Sequence, residues 1–199
     1  MMCLKACSAA ALTITAFVLA APHAAFAEPR FVKGPYLMDV RHDAIAVLFG
    51  DDLFVGARSG LEQLTTAYTL IAHEHVDHLP VLVSLERIPR ERIGSYGVVA
   101  VEMEHPKNPR IKRLNGLVEK PLPEDAPSEL GIVGKYLIPR SILNALPHVG
   151  AGHGGEIRLI DAFIAERKQT PIYGYECEGV RYDTGTPEGY RKAVLDLGH

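Results

Sequence analysis

The chain has 199 residues, 47% of them apolar, and a formal net charge of −3 spread without long runs. That is enough chain for one ordinary domain with a buried core. The charge balance excludes a basic nucleic-acid patch and an acidic tail, and no low-complexity tract or internal repeat stands out.

The first segment, "MMCLKACSAAALTITAFVLAAPHAAFA" (1–27), carries one lysine, an apolar stretch from Ala9 to Ala21, and then Ala25-Phe26-Ala27. This is the layout of a secretory leader with an A-x-A cleavage site, too short for a comfortable membrane span. Residues 28–41, "EPRFVKGPYLMDVR", match no recognisable element. Of the three cysteines, Cys3 and Cys7 lie in the leader and Cys177 alone in the body. The body therefore has no internal disulfide, and Cys177 reads as a core-packing thiol.

From His42 the pattern becomes regular. "AIAVLFG" (44–50) is a continuous apolar run, hence a buried strand, and it ends on Asp51-Asp52. "SGLEQLTTAYTLIAHEH" places Leu61, Leu64, Tyr68 and Ile71 at helical spacing. "LPVLVSLERI" and "YGVVAVEM" are further strands, followed by the turn "EHPKNPR". "IKRLNGLVEK" is a fourth strand, with a possible break at Gly116, and "LGIVGKYLI" a fifth. Pro139 opens a short helix to Leu146. "GGEIRLIDAFIAERK" predicts a helix burying Ile157, Ile160, Ala162 and Ile164. "TPIYGYECEG" is a sixth strand, and "TPEGYRKAVLDLG" a closing helix that ends on Gly198. Alternating strands and helices predict an α/β fold over 42–198 with a largely parallel sheet and ligands at the carboxyl ends of its strands.

Several residues at those ends can carry chemistry. Asp51 suits Mg²⁺, which takes oxygen ligands beside a phosphate; it equally suits a turn that caps the next helix. In "RYDTGTPEGY" Thr186 can cap the helix at Pro187, leaving Asp183 free to face Asp51 as a second carboxylate. Glu119 can accept hydrogen bonds from sugar hydroxyls and Lys120 can meet phosphate, or the two form a surface ion pair of little value. "AHEHVDH" has histidines at the wrong spacing for one helix face and reads as a polar loop rather than a zinc site. "GAGHGGE" lacks the Lys-Ser/Thr of a P-loop and reads as a loop before a helix.

Taken together, "AVLFGDDLF", "GLEQL", "YGVV", "LVEKPLPEDAPSELGIVGKYLIP", "GGEIRLIDA" and "EGVRYDTGTPEGYRKA" resemble, in order, the bacterial UTP–glucose-1-phosphate uridylyltransferase family. The resemblance implies a Rossmann-like nucleotidyltransferase sheet with flanking helices. It also implies the conversion of UTP and glucose 1-phosphate to UDP-glucose and pyrophosphate, with Mg²⁺. By the same resemblance Asp51 is the Mg²⁺ ligand and Asp183 a second one, Gly97 lets the sugar approach the backbone, Glu119 binds sugar hydroxyls, and Lys120 binds phosphate. The family's Gly-rich nucleotide loop has no counterpart here, so a truncated domain is expected, inactive by itself or paired with a full-length subunit or another copy. A sugar-phosphate-binding remnant and a related pyrophosphorylase for another sugar or base are the alternatives. The family implies a cytoplasmic location; a working leader would instead send the chain to the periplasm. A rearranged gene with a new start reconciles leader and body.

Overall fold

A computed structural model describes residues 14–19, 30–32, 44–75, 77–150 and 158–198. Strands β1 (Ile14–Leu19), β2 (Arg30–Val32), β3 (Ala44–Phe49) and β4 (Asp52–Val55) come first. Helix α1 (Gly60–Ala72) follows, then β5 (Val81–Arg87), β6 (Gly97–His105), β7 (Asn108–Glu119) and β8 (Leu130–Pro139). Helices α2 (Arg140–Ala145) and α3 (Leu159–Glu166), strands β9 (Ile172–Glu176) and β10 (Val180–Asp183), and helix α4 (Pro187–Leu197) complete the chain. Among the described residues, no helix is long and apolar enough to cross a membrane.

One sheet has the order β2-β1-β3-β8-β5-β9-β7-β6, and β4 and β10 form a separate two-stranded ribbon. The expectation of a largely parallel sheet is wrong. β5 and β9 pair in parallel, from Val81↔Ile172 to Leu85↔Glu176; every other pairing among the described strands is antiparallel. The apolar runs misled because they report cover on both faces, and cover does not fix strand direction. β5 makes the point: Val81, Val83 and Leu85 enter the core beneath α2 and α3, while Leu82 enters the core beneath α1.

β7 is not broken at Gly116. The register with β6 shifts between Ala100↔Gly116 and Val101↔Leu114, so the strand continues through an irregularity. The segments "DLFV" and "VRYD" are strands that the apolar pattern did not announce. β1 lies within the leader-like segment and pairs antiparallel with β3 from Ile14↔Phe49 to Leu19↔Ala44.

The helices follow local chemistry. Ser59 caps α1 by accepting from the Glu62 N–H at 3.2 Å, and Leu64, Ala67, Tyr68 and Ile71 are buried as the spacing requires. Thr186 caps α4 by accepting from the Gly189 N–H at 3.1 Å, with Pro187 at the first helical position. In α3 the buried residues are Ala162 and Phe163; Ile160 is half-buried and Ile164 is 36% exposed, so the expected face is turned by about one residue. Ile157 and the "GAGHGGE" loop after Gly150 lie outside the described residues.

Candidate active site

The cleft is built at the places where β3, β6, β7 and β10 end or begin. β3 ends at Phe49, and the chain turns through Gly50-Asp51 before re-entering as β4 at Asp52. Asp183, the last residue of β10, pairs in register with Asp52. The Thr184 N–H and Oγ1 both donate to the Asp51 carbonyl, at 2.7 and 3.0 Å, which ties the two turns together. Gly185 is required by close approach: a Cβ there would stand 2.7 Å from Asp51 Oδ2 and 3.3 Å from Asp183 Oδ1. Both carboxylates therefore border one small space above the Gly185 backbone.

At the other end, Gly97 opens β6 opposite Glu119 at the close of β7. A Cβ on Gly97 would press to 3.1 Å from Glu119 Oε2 and 3.2 Å from Ile160 Cδ1. Val98 also pairs with Gly131 of β8, which brings the start of β6 against the middle of the sheet. Two adjoining cavities result. One, about 240 Å³, is lined by Asp51, Asp52, Gly134, Arg181 and Asp183; the other, about 260 Å³, by Gly97, Glu119, Arg158 and Phe163. Phe49, Tyr96, Ile132 and Tyr136 line both, so they form one continuous cleft.

Four of the five residues singled out in the sequence therefore meet: Asp51, Gly97, Glu119 and Asp183. Lys120 differs. It is exposed, lines neither cavity, and has φ of 48°, the one positive φ at a non-glycine among the described residues. Its N–H donates to the Tyr96 carbonyl at 3.0 Å. A left-handed lysine costs about 1–2 kcal/mol, so the fold holds it there against its preference.

Beneath the cleft lies polar structure that the sequence did not reveal. The buried Arg181 guanidinium donates to Asp52 Oδ1, to Glu86 Oε2 at 2.5 Å, and to the Tyr96 hydroxyl at 2.9 Å. Burial opposes the charge on Arg181, but the bonds to Asp52 and Glu86 outweigh it and raise its pKa. Asp52 Oδ2 accepts from the Gly134 N–H, and Lys135 Nζ donates to the Asp52 carbonyl, each at 2.7 Å. Burial lowers the Lys135 pKa against the pull of Asp52. Burial also raises the Tyr136 hydroxyl well above its ordinary value, helped by the charges of Asp52 and Glu119 on either side. At the Glu119 end, Arg158 Nη1 stands 3.9 Å from Glu119 Oε1, while its other guanidinium nitrogens hold Asp161 at 2.8 and 3.0 Å.

Other candidates resolve as structure. Cys177 packs beside the core under α1, and burial pushes its thiol up to about 12. His75 meets the Tyr173 hydroxyl at 2.8 Å and His105 meets Glu74 at 3.0 Å; among the described residues, no group of three His, Cys, Asp or Glu side chains could hold a metal. The Asp51–Asp183 space offers two carboxylates, which suits Mg²⁺, an ion that keeps several waters and takes substrate phosphate as a further ligand.

A mixed sheet with flanking helices, and a cleft with two carboxylates at one end and a glycine–glutamate pair at the other, define a nucleotidyltransferase-like α/β domain. The chain is homologous to UTP–glucose-1-phosphate uridylyltransferases. It is 34% identical to that enzyme of Komagataeibacter xylinus over 147 residues, covering 74% of this chain and 48% of the relative. It is 34% identical to the enzyme YngB of Bacillus subtilis (strain 168) over 156 residues, covering 78% and 49%. Among solved structures, an apo UDP-glucose pyrophosphorylase superposes with a TM-score of 0.69 at 30% identity, covering 78% of this chain and 54% of that one. A UTP-bound enzyme from Acinetobacter baumannii gives 0.65 at 29% identity, covering 79% and 52%. The chain thus spans about half the length of the curated relatives it matches. No protein-family model matches it.

Proposed function

We propose that this chain forms the sugar-phosphate and metal half of a uridylyltransferase site, for the reaction of UTP with glucose 1-phosphate to give UDP-glucose and pyrophosphate. The observation that carries this is the continuous cleft from Asp51 and Asp183 to Gly97 and Glu119, in a chain whose homologues are uridylyltransferases. One oxygen of the sugar phosphate attacks the α-phosphorus of UTP, and pyrophosphate leaves. Two polyanions must meet, so positioning and charge neutralisation dominate the chemistry.

In this proposal Gly97 admits the sugar ring to the backbone and Glu119 accepts from its hydroxyls. Lys120, exposed beside them, neutralises phosphate, which accounts for a lysine kept in a strained conformation. Asp51 and Asp183 would hold Mg²⁺ in the space above Gly185. Bound there, the ion would supply charge stabilisation to the phosphoryl oxygens. Supply of UTP assigns the chain to the cytoplasm, and a second copy or a full-length subunit is the expected partner.

The test is calorimetric titration of the purified chain with glucose 1-phosphate, with and without Mg²⁺, beside a pyrophosphate-release assay with UTP. Metal-dependent binding that Asp51→Asn abolishes is expected. Pyrophosphate release should be slight, because the sequence shows no recognisable counterpart of a Gly-rich nucleotide loop to cradle the triphosphate. Absence of glucose 1-phosphate binding at millimolar concentration would overturn the proposal. Robust release that Asp51→Asn abolishes would mean the chain rebuilds a nucleotide site.

A further inference from the structure

The Arg181 side chain is 7% exposed, and its three close partners stand on three different parts of the fold: Asp52 on β4, Glu86 on β5, and Tyr96 in the turn leading into β6. Each end of this fork adjoins a cleft residue. Asp52 follows Asp51 directly, and Asp183 lies two residues beyond Arg181. Tyr96 precedes Gly97, and its carbonyl accepts the N–H of Lys120. Asp52 is fixed from behind as well, by the Gly134 N–H and by Lys135. The guanidinium makes no hydrogen bond to Asp183, but its Nη1 stands 3.9 Å from Oδ2, within ion-pair distance.

We infer that Arg181 is a positioning residue that fixes the carboxylate end of the cleft relative to the sugar-phosphate end, through Asp52 on one side and the Tyr96 hydroxyl on the other. The inference rests on the site reading proposed above. A planar fork can hold these acceptors at fixed mutual angles; a lysine at this position carries the charge without that geometry. Misplacement of a carboxylate by a fraction of an ångström would leave each ligand able to bind singly, but would spoil their joint placement.

The experiment measures coupling. Mn²⁺ binding is followed by electron paramagnetic resonance and glucose 1-phosphate binding by calorimetry, each alone and in the presence of the other. The factor by which Mn²⁺ tightens the sugar phosphate is compared among wild type, Arg181→Lys and Tyr96→Phe. Tyr96→Phe removes one hydroxyl, which accepts from Arg181 and Arg92, and keeps the ring. It should cut the coupling factor by about fivefold, a larger change than in either single-ligand affinity. Arg181→Lys should cut it at least as far, with faster amide exchange at both Thr184 and Lys120, whose N–H groups report the two ends. A merely structural role would lower stability and leave the factor unchanged. Wild-type binding with coupling that neither variant alters overturns this inference alone. Failure of the wild type to bind either ligand overturns the site reading and the inference with it.

Discussion

At the Asp51–Asp183 end of the cleft the backbone is fixed by charge: a buried guanidinium joins Asp52, Glu86 and Tyr96, and an ammonium is held beneath the same strand. At the Gly97–Glu119 end, sheet register and apolar contact do that work. Gly97 is set opposite Glu119 by the β6–β7 ladder, and Phe163, Ile160 and Ile132 close around it. The difference follows from chain length between partners. Gly97 and Glu119 belong to one hairpin, which its turn keeps in register. Asp52 and Arg181 are 129 residues apart, and their four-residue strands bury little apolar surface, so a strong and directional contact has to hold the ribbon in place.

The comparison breaks most visibly at Arg181. Arg181→Met leaves Asp52 and Glu86 without their cation. Removing one partner of a buried ion pair costs about 3–5 kcal/mol, and Glu86 is one-third exposed, so the lower end is expected. Urea denaturation should show a loss of about 3 kcal/mol. A loss below about 1 kcal/mol would mean that the ribbon is held by something other than this fork.

Gly97→Ala probes the apolar end. The new methyl meets a carboxylate oxygen and an isoleucine methyl, which must give by a few tenths of an ångström. Overpacking of this kind costs about 1–2 kcal/mol. Glucose 1-phosphate affinity should fall by more than about tenfold while Mn²⁺ affinity is unchanged if, as proposed, the sugar approaches the backbone at Gly97. Equal loss of both affinities would show that the two ends are not separable in this way.

Lys120→Gly should change stability in the opposite direction. Relief of the left-handed backbone gains about 1–2 kcal/mol, and the freer unfolded chain takes back about 0.5–1. A net gain of about 0.5–1 kcal/mol is expected, with weaker sugar-phosphate binding; Lys120→Ala should weaken binding without the gain. Stability lost in the glycine variant would indicate that the lysine side chain contributes to folding.

The sequence made most strands and the long helices legible because their signals are local: apolar runs for β3, β5, β6 and β8, the spacing of Leu61, Leu64, Tyr68 and Ile71 in α1, and Thr186 with Pro187 at the start of the last helix. Pairing direction was not legible, since a two-faced strand looks the same whichever way its neighbour runs. The Asp51, Gly97, Glu119 and Asp183 cleft was readable through motif resemblance. Its support was not, because Arg181, Asp52 and Tyr96 meet only across the whole chain. Phe163 was displaced by Ile164 because the buried face of a short helix depends on how it lies on the sheet, which spacing alone does not set.

The smallest expected effect sharpens the charge-held end further. Burial holds the Lys135 pKa below its ordinary value of 10.5, so between that lowered pKa and 10.5 the unfolded chain binds more protons than the folded one. Stability therefore carries a penalty at lower pH that is relieved as pH rises through this window. Tyr136 acts in the opposite sense, because its raised pKa favours the folded, protonated phenol only until the unfolded phenol ionises near 10.0; above that pH its contribution works against the folded state. Cys177 acts in the same sense as Tyr136 from about pH 9.0, where the unfolded thiol ionises, so the reading is the difference between wild type and variant up to about pH 10. Urea midpoints taken from about pH 7 to pH 10 should climb more steeply in wild type than in Lys135→Met, which has no proton to lose there. The variant also gives up the bond from Nζ to the Asp52 carbonyl, so its whole curve should lie lower while its slope is flatter. Parallel curves would mean that Lys135 titrates as an exposed lysine does, and that water reaches beneath β4.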